Sequence, residues 1–417
     1  MRTFFMATDN SNGMTDYWAL ATGGGLGYHS PIFYGFQIGM EGFVIANIAS
    51  NDLGSSKKPK NQMSRYEIGL FDVQEPHNRF DLDRLEHLFI RYHFNPKSKL
   101  ELGRFELNTP FINPQDGRMR GTLEEGIWGE WNSNRKIQFE GGWIWAISPR
   151  STVRWFSIGQ SMGVYPAGLN SNGLPSKYPN NIYSDGIGIF SLKLKPKKWA
   201  DVQLWHYHVD NVFRINMAQV DFNFKLDTIN KIYLGLSLTH QNAIRHGGHP
   251  DQEKTYIEKG AQSLVASGRI GYVYKTWDIN FNYTRITKQG KFLMPREWGR
   301  DPFFTFMPRE RNEGYADLNA SVFRIKKSWS KKSSLELSQG LFNLPDANDF
   351  SKNKYAFPSY LQTNLMFKRK FSKMFKGADV MFLWMYKHNH KRKFTSERFV
   401  FNKVNMHHWN LVLNYAF

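Results

Sequence analysis

Cysteine is absent from the 417 residues, which excludes disulfides and thiol chemistry. No apolar run approaches the roughly 20 residues that a membrane helix needs, and mean hydropathy is −0.54. Helical membrane spans are therefore excluded. Spans built from strands are not, because their alternation averages out to mild hydropathy. Acidic residues are scarce beside basic ones, 36 against 55, for a formal net charge of +19. No Ser/His/acid set stands at a local spacing that marks a nucleophile with its base. The expectation is a protein that is not an enzyme and holds no cofactor or metal. No signal peptide precedes Met1, and strand pattern begins at once with Arg2-Thr-Phe-Phe-Met-Ala-Thr. The numbering is read as starting near or within a mature chain.

What the chain has in quantity is alternation. In the last stretch, Trp409, Leu411, Leu413, Tyr415 and Phe417 occupy odd positions, while His408, Asn410 and Asn414 fall between them. Period two makes one face apolar and the other mostly polar. A chain ending on such a strand, with an aromatic residue last, is similar in this to bacterial outer-membrane barrels. There the last strand must pair with the first, because an open edge cannot sit in lipid. Aromatics make up 16% of the chain, with 13 Trp, 19 Tyr and 34 Phe, which suits two interfacial girdles.

The same pattern recurs along the chain. Leu88, Ile90, Tyr92 and Phe94 oppose His87, Arg91 and His93, and Ile232, Leu234, Leu236 and Leu238 oppose Tyr233, Ser237, Thr239 and Gln241. Trp277, Ile279, Phe281 and Tyr283 oppose Asp278, Asn280, Asn282 and Thr284. The count predicts about eighteen antiparallel strands in one all-β transmembrane barrel over 1–417, with long loops after odd strands and short turns after even ones.

A barrel of that width is too wide for wall side chains to fill, so loops must narrow it. Two have suitable chemistry. The first, 108–124, carries Pro110, Pro114, Gly117 and Gly121 for a stiff fold, with Asp116, Arg118, Arg120 and Glu124 at its centre. The second, 288–314, carries Arg296, Arg300, Arg309 and Arg311 among prolines, acids and aromatics. These eight residues are the expected eyelet. Arg91 and Arg269 are expected on the lumen wall beside Lys193 and Lys225, with Glu101, Glu140, Asp221, Asp278 and Asp317 also facing inward. The mixed wall is biased toward guiding anions.

Five stretches carry a resemblance to a known family. They are Arg2-Thr-Phe-Phe-Met-Ala-Thr-Asp-Asn, Ala21-Thr-Gly-Gly-Gly-Leu-Gly-Tyr, Arg65-Tyr-Glu-Ile-Gly-Leu-Phe-Asp, Asn108-Thr-Pro-Phe-Ile-Asn-Pro-Gln-Asp-Gly-Arg-Met-Arg and Ala146-Ile-Ser-Pro-Arg-Ser-Thr-Val-Arg-Trp. On these the chain resembles the OprD family of outer-membrane porins, in particular its Bacteroidetes-like branch. The resemblance implies an eighteen-stranded monomeric barrel, third and seventh loops that narrow the pore, and an arginine-rich path for carboxylate-bearing solutes. It also implies an eyelet role for Arg118 and Arg120. The expected function is passive diffusion of small hydrophilic solutes, anionic or zwitterionic, across the bacterial outer membrane. The competing reading is a non-transporting barrel that serves as subunit or scaffold of a larger outer-membrane complex.

Much of the positive charge falls in the short turns: Lys97, Arg135, Lys195, Lys197, Lys198, Lys331, Lys332 and Lys373 among others. Outer-membrane lipids and lipopolysaccharide are expected partners, with a periplasmic or outer-membrane protein on the basic turns as a sharper alternative. Nucleic acid is not expected, because the basic residues punctuate turns instead of lining a groove with stacking aromatics. His388, His390 and the adjacent Lys391-Arg392-Lys393 read as an exposed basic loop. Asp72, Glu75, Asp81 and Asp83 lack the close oxygen spacing of a calcium loop.

Overall fold

The computed structural model describes residues 1–11, 13–54, 63–80, 82–134, 136–372, 375–390 and 396–416. Asp81, Arg135, Lys373, Lys391-Arg392-Lys393 and Phe417, singled out above, lie outside the described residues. The strands are β1 (Arg2–Asn10), β2 (Tyr17–His29), β3 (Phe36–Ser50), β4 (Leu82–Asn95), β5 (Ser98–Phe105), β6 (Leu123–Asn134), β7 (Ile137–Ser148), β8 (Phe156–Ser157), β9 (Ile187–Lys197) and β10 (Ala200–Val209). They continue as β11 (Phe213–Lys225), β12 (Asn230–Ala243), β13 (Gln262–Tyr274), β14 (Trp277–Ile286), β15 (Leu318–Ser330), β16 (Ser333–Asn343), β17 (Tyr360–Lys370), β18 (Ala378–Asn389) and β19 (Met406–Tyr415).

All pairings are antiparallel, and β19 closes on β1 in register from Arg2↔Asn414 to Asn10↔Met406. The two-residue β8 only caps the end of β7, which continues into β9. Of the nineteen strands in the sheet, eighteen therefore make the wall. The expected barrel, its strand number and its closure by the last strand are what the structure has.

Alternation decides the two faces. Along β19, His408 and Asn410 have no exposed surface, whereas Leu411 and Leu413 are 40% and 48% exposed on the outside. Ile279 and Phe281 on β14 and Leu236 and Leu238 on β12 point outward in the same way. Such a band of exposed large apolar side chains is what a hydrocarbon environment requires. Replacing Leu411, at mid-strand, by Arg is expected to cost about 2–4 kcal/mol. The loss is read as a lower urea midpoint for the heat-modifiable folded band in lipid; an unchanged midpoint would place this face out of the bilayer.

One boundary differs from expectation. Pro196 lies inside β9, not in the turn, because the register shifts between Ala200 and Val202 and leaves its missing N–H without a ladder position. A larger difference concerns the long loops, here L2 (51–81), L3 (106–122), L4 (149–186) and L7 (287–317). By composition L2 is rich in Lys, Asp, Pro and Asn and L4 in Gly, Pro, Ser and Asn, which suits solvated loops. Instead Tyr66, Ile68, Leu70 and Phe71 of L2 and Ile158, Met162 and Tyr178 of L4 are buried. The apolar core sits inside the lumen, where Phe111 of L3 and Phe292, Trp298 and Phe303 of L7 join inward wall residues such as Tyr207 and Phe213.

Candidate functional site

Four loops fold inward and are tied to one another. L3 and L7 meet through the Asn113 N–H donating to the Trp298 carbonyl at 3.1 Å, the Asn113 Nδ2 to the Arg300 carbonyl at 3.1 Å and the Thr122 hydroxyl to the Glu297 carbonyl at 2.9 Å. Gly299, at φ +153°, permits this approach: a Cβ there would stand 2.8 Å from the Asn113 nitrogen. L4 joins where the Glu297 carboxylate accepts from the Gly163 and Tyr165 amides, and where the Trp298 indole donates to Ser161 at 2.8 Å.

At the centre stands Asp116 of L3, left-handed at φ 55°, with its side chain only 6% exposed. Its carboxylate accepts from the Arg309 Nη1 at 2.7 Å, and the guanidiniums of Arg118 and Arg311 lie 3.4 and 3.8 Å away. Burial alone would raise the Asp116 pKa, but Arg118, Arg309, Arg150 and Arg311 hold it well below the carboxylate range. Four guanidiniums thus surround one carboxylate. The Arg118 Nε, Arg150 Nε and Arg311 Nη2 are buried with no hydrogen-bond acceptor among the described residues, whereas buried donors are normally paired. Arg309 is anchored to Asn410 on β19 at 2.9 Å, and Arg311 and Arg150 donate to the Arg296 carbonyl, each at 2.8 Å.

The other expected eyelet residues are distributed around this centre. Arg296 is ion-paired with Glu313, and Arg300 donates to Gln115 and stacks over Phe306. Arg120 is turned away from Asp116: it pairs with Glu86, lies 3.5 Å from Glu41 and covers the Phe43 ring. It lines a cavity of about 410 Å³ beneath L3 together with Arg2, Glu106 and Met119. The Arg2 guanidinium holds the tip of L3 there by donating to the Arg118 carbonyl at 2.8 Å. Glu124 lies on β6, fully buried, and accepts from the Leu107 amide at 2.8 Å.

Arg91, Arg269 and Lys193 on the wall each have an acidic partner. Arg91 meets Glu101 at 2.8 Å, Arg269 meets Asp221 at 2.6 Å and Lys193 meets Glu140 at 2.6 Å. Arg91–Glu101 and Lys193–Glu140 join neighbouring strands, and Arg269 reaches Asp221 across Gly235 of β12, so these three wall charges are matched on the lumen face.

The sequence reading did not single out a second cluster. Glu310 of L7 accepts from Arg65 at 3.0 Å and from the Tyr66 hydroxyl at 2.7 Å, both in L2, and is ion-paired with Lys387 of β18. Beside it Glu67 accepts from Ser64 at 2.7 Å and from Thr8 on β1, whose hydroxyl also meets the buried His408. These contacts clasp L2 and L7 to the wall. The visible signal was the apolar run around Ile68 inside an otherwise polar loop.

Acid strength within L7 gives a test of its electrostatics. Burial raises the Asp301 pKa to about 6, against the Asn312 amide and the Arg311 and Arg300 charges. An acid with a raised folded pKa is neutral below that value and gains a charge, at a cost in stability, as pH rises through it. Anion preference is therefore expected to increase from pH 7 to 5 with a midpoint near 6. The Asp301→Asn variant is expected to show no such step; a step that persists in it assigns the titration elsewhere. Glu310 does not contribute there: despite its burial, Arg65, Lys387 and Arg296 hold it at about 2.

No family model and no curated protein sequence matches this chain. Solved structures do. Pseudomonas aeruginosa OccK9 (OpdG) aligns with a TM-score of 0.75 at 11% identity, over 99% of this chain and 96% of that one. Acinetobacter baumannii OccAB3 aligns with 0.74 at 13%, over 100% and 97%. Pseudomonas aeruginosa OpdK, solved with vanillate, aligns with 0.73 at 13%, over 99% and 96%. From its first strand to its last, the chain has the fold of the OprD-family outer-membrane porins.

Proposed function

We propose that the chain is an outer-membrane channel through which small hydrophilic solutes diffuse passively, and that it favours those bearing a carboxylate. The observation that carries this reading is the Asp116 centre: four guanidiniums, one carboxylate, and three guanidinium nitrogens without an acceptor. A planar, always-charged guanidinium fork matches a carboxylate in geometry and sign. With Arg91, Arg269 and Lys193 matched by acids, this centre is the strongest site for an anion in transit. Vanillate, present in the OpdK structure, is itself a carboxylate. Arg118, Arg150, Arg309 and Arg311 are the residues proposed to contact the solute. Arg120 and Arg2 line the cavity beneath them, and Arg296 and Arg300 hold L7 in place.

The extent of the packing favours a second reading: with Trp298 and Phe111 wholly inaccessible, the lumen of this structure is closed down far enough to suit a non-conducting scaffold. Reversal potential in a planar bilayer under a salt gradient decides between them. A small, steady conductance with anion preference, blocked in part by millimolar benzoate, supports the channel. A correctly folded barrel that passes no current makes the scaffold reading the right one.

A further inference from the structure

We propose that the outer wall of β10, β11 and β12, just below the long-loop rim, binds a phosphorylated glycolipid of the outer leaflet. The proposal rests on the outer-membrane reading and concerns the lipid-facing side of the barrel, away from the pore. A groove of about 360 Å³ is lined by Leu204, Ala218 and Leu238 at its lower part and by His206, Asn216 and His240 at its upper part, where Phe190 flanks His206. It exists because the small Ala218 is the cross-strand partner of Leu204 on one side and Leu238 on the other, so larger neighbours wall a channel one side chain wide.

Polarity changes along the groove in one direction. His206, Asn216 and His240 form one cross-strand row, and the next outward row toward the rim is His208, Arg214 and Asn242. The His206 Nδ1 lies 2.7 Å from the Asn216 Oδ1, and the Arg214 Nε donates to the His208 Nδ1 at 3.1 Å. No acidic side chain pairs with Arg214 among the described residues. Asp210, a rim acid, is 3.8 Å from Arg245.

Two features select the occupant. Hydrocarbon offers these donors nothing, and unpaired polar groups facing lipid are costly. A phosphate and sugar hydroxyls at the upper row, with an acyl chain over Ala218 below, satisfy both parts of the groove at once. A second barrel would need about 800 Å² of broad complementary surface, which a channel one side chain wide does not provide.

The test uses the whole protein in detergent, with diphosphorylated lipid A as probe, read by native mass spectrometry. Wild type is expected to retain one lipid A per barrel, and Arg214→Ala/His208→Ala about fivefold less. Ala218→Trp, which fills the groove, is expected to retain about tenfold less, while Ser321→Trp, on the outer face of β15, binds as wild type. Folding of each variant is checked by heat-modifiable migration. If Ala218→Trp fails to fold, the double variant and the dephosphorylated lipid, expected to bind as weakly as that variant, still decide. Equal retention by wild type and both groove variants overturns the proposal. So does a barrel dimer that Ala218→Trp disperses, which would give the face to a second copy. Bilayer conductance is read separately, so that failure here leaves the channel reading standing and the reverse.

Discussion

Replacing Arg118 and Arg311 together by Gln is expected to abolish most of the anion preference. Both side chains face Asp116, and each has a buried nitrogen that no described group accepts from. The double variant leaves Arg150 and Arg309 with Asp116, so an excess of three positive charges falls to one. At an effective dielectric of about 20, a charge about 6 Å from a permeating carboxylate changes its energy by about 3 kcal/mol. Water and counter-ions in the pore screen much of this, which leaves about a tenfold fall in the permeability of benzoate relative to a matched cation. Gln keeps side-chain length and donors, so that the folded loops and the conductance in symmetric salt are expected to survive. An unchanged reversal potential in a variant of normal conductance would show that solutes pass elsewhere. The Arg120→Gln variant serves as contrast: its charge is already matched by Glu86 and Glu41, and a shift of less than about twofold is expected.

That contrast also shows where sequence stops informing. The strands were legible because a lipid-facing wall repeats every second residue; β14 states the period without interruption from Trp277 to Thr284, and β19 states it with Val412 as an exception. Closure followed, since a membrane tolerates no free edge. The parity that turned Arg91 and Arg269 inward was legible too. Their neutralisation by Glu101 and Asp221 was not, because it depends on cross-strand register, which a few bulges reset. The two basic loops were visible as stiff, charged excursions. That Asp116 of one would sit under Arg309 and Arg311 of the other, 193 and 195 residues away, is tertiary and has no local signature. For L2 the signal existed and was outweighed: Tyr66, Ile68, Leu70 and Phe71 are apolar within a polar loop, a pattern that fits a lumen plug as well as a surface turn. Lys387 could not be read at all. On β18 it is simply an inward-facing lysine, and only L2 and L7 make it buried.

Those last residues set the second large effect. Glu310→Ala is expected to release L7 and L2 from the wall and to raise single-channel conductance severalfold. Glu310 is the acceptor shared by Arg65, Tyr66 and the ion-paired Lys387, and Lys387 has no exposed surface. Removing one partner of a buried pair leaves the other charge uncompensated, at a cost of about 3–5 kcal/mol. The barrel itself has a long closed ladder to absorb that loss, whereas Glu310 is where L2, L7 and β18 meet through one shared acceptor. Relief is therefore expected by local opening, with Lys387 rehydrated and the lumen widened, and not by unfolding. The double variant Glu310→Ala/Lys387→Met separates charge from packing. If the stranded lysine drives the opening, the double variant closes again, and the pair shows a coupling energy of the same order in a thermodynamic cycle. If both variants conduct alike and more than wild type, the Arg65 and Tyr66 contacts hold the loop and the lysine is incidental. A Glu310→Ala barrel of unchanged conductance would show that the Asp116 centre alone sets the pore, because the clasp would then be gone with the constriction intact.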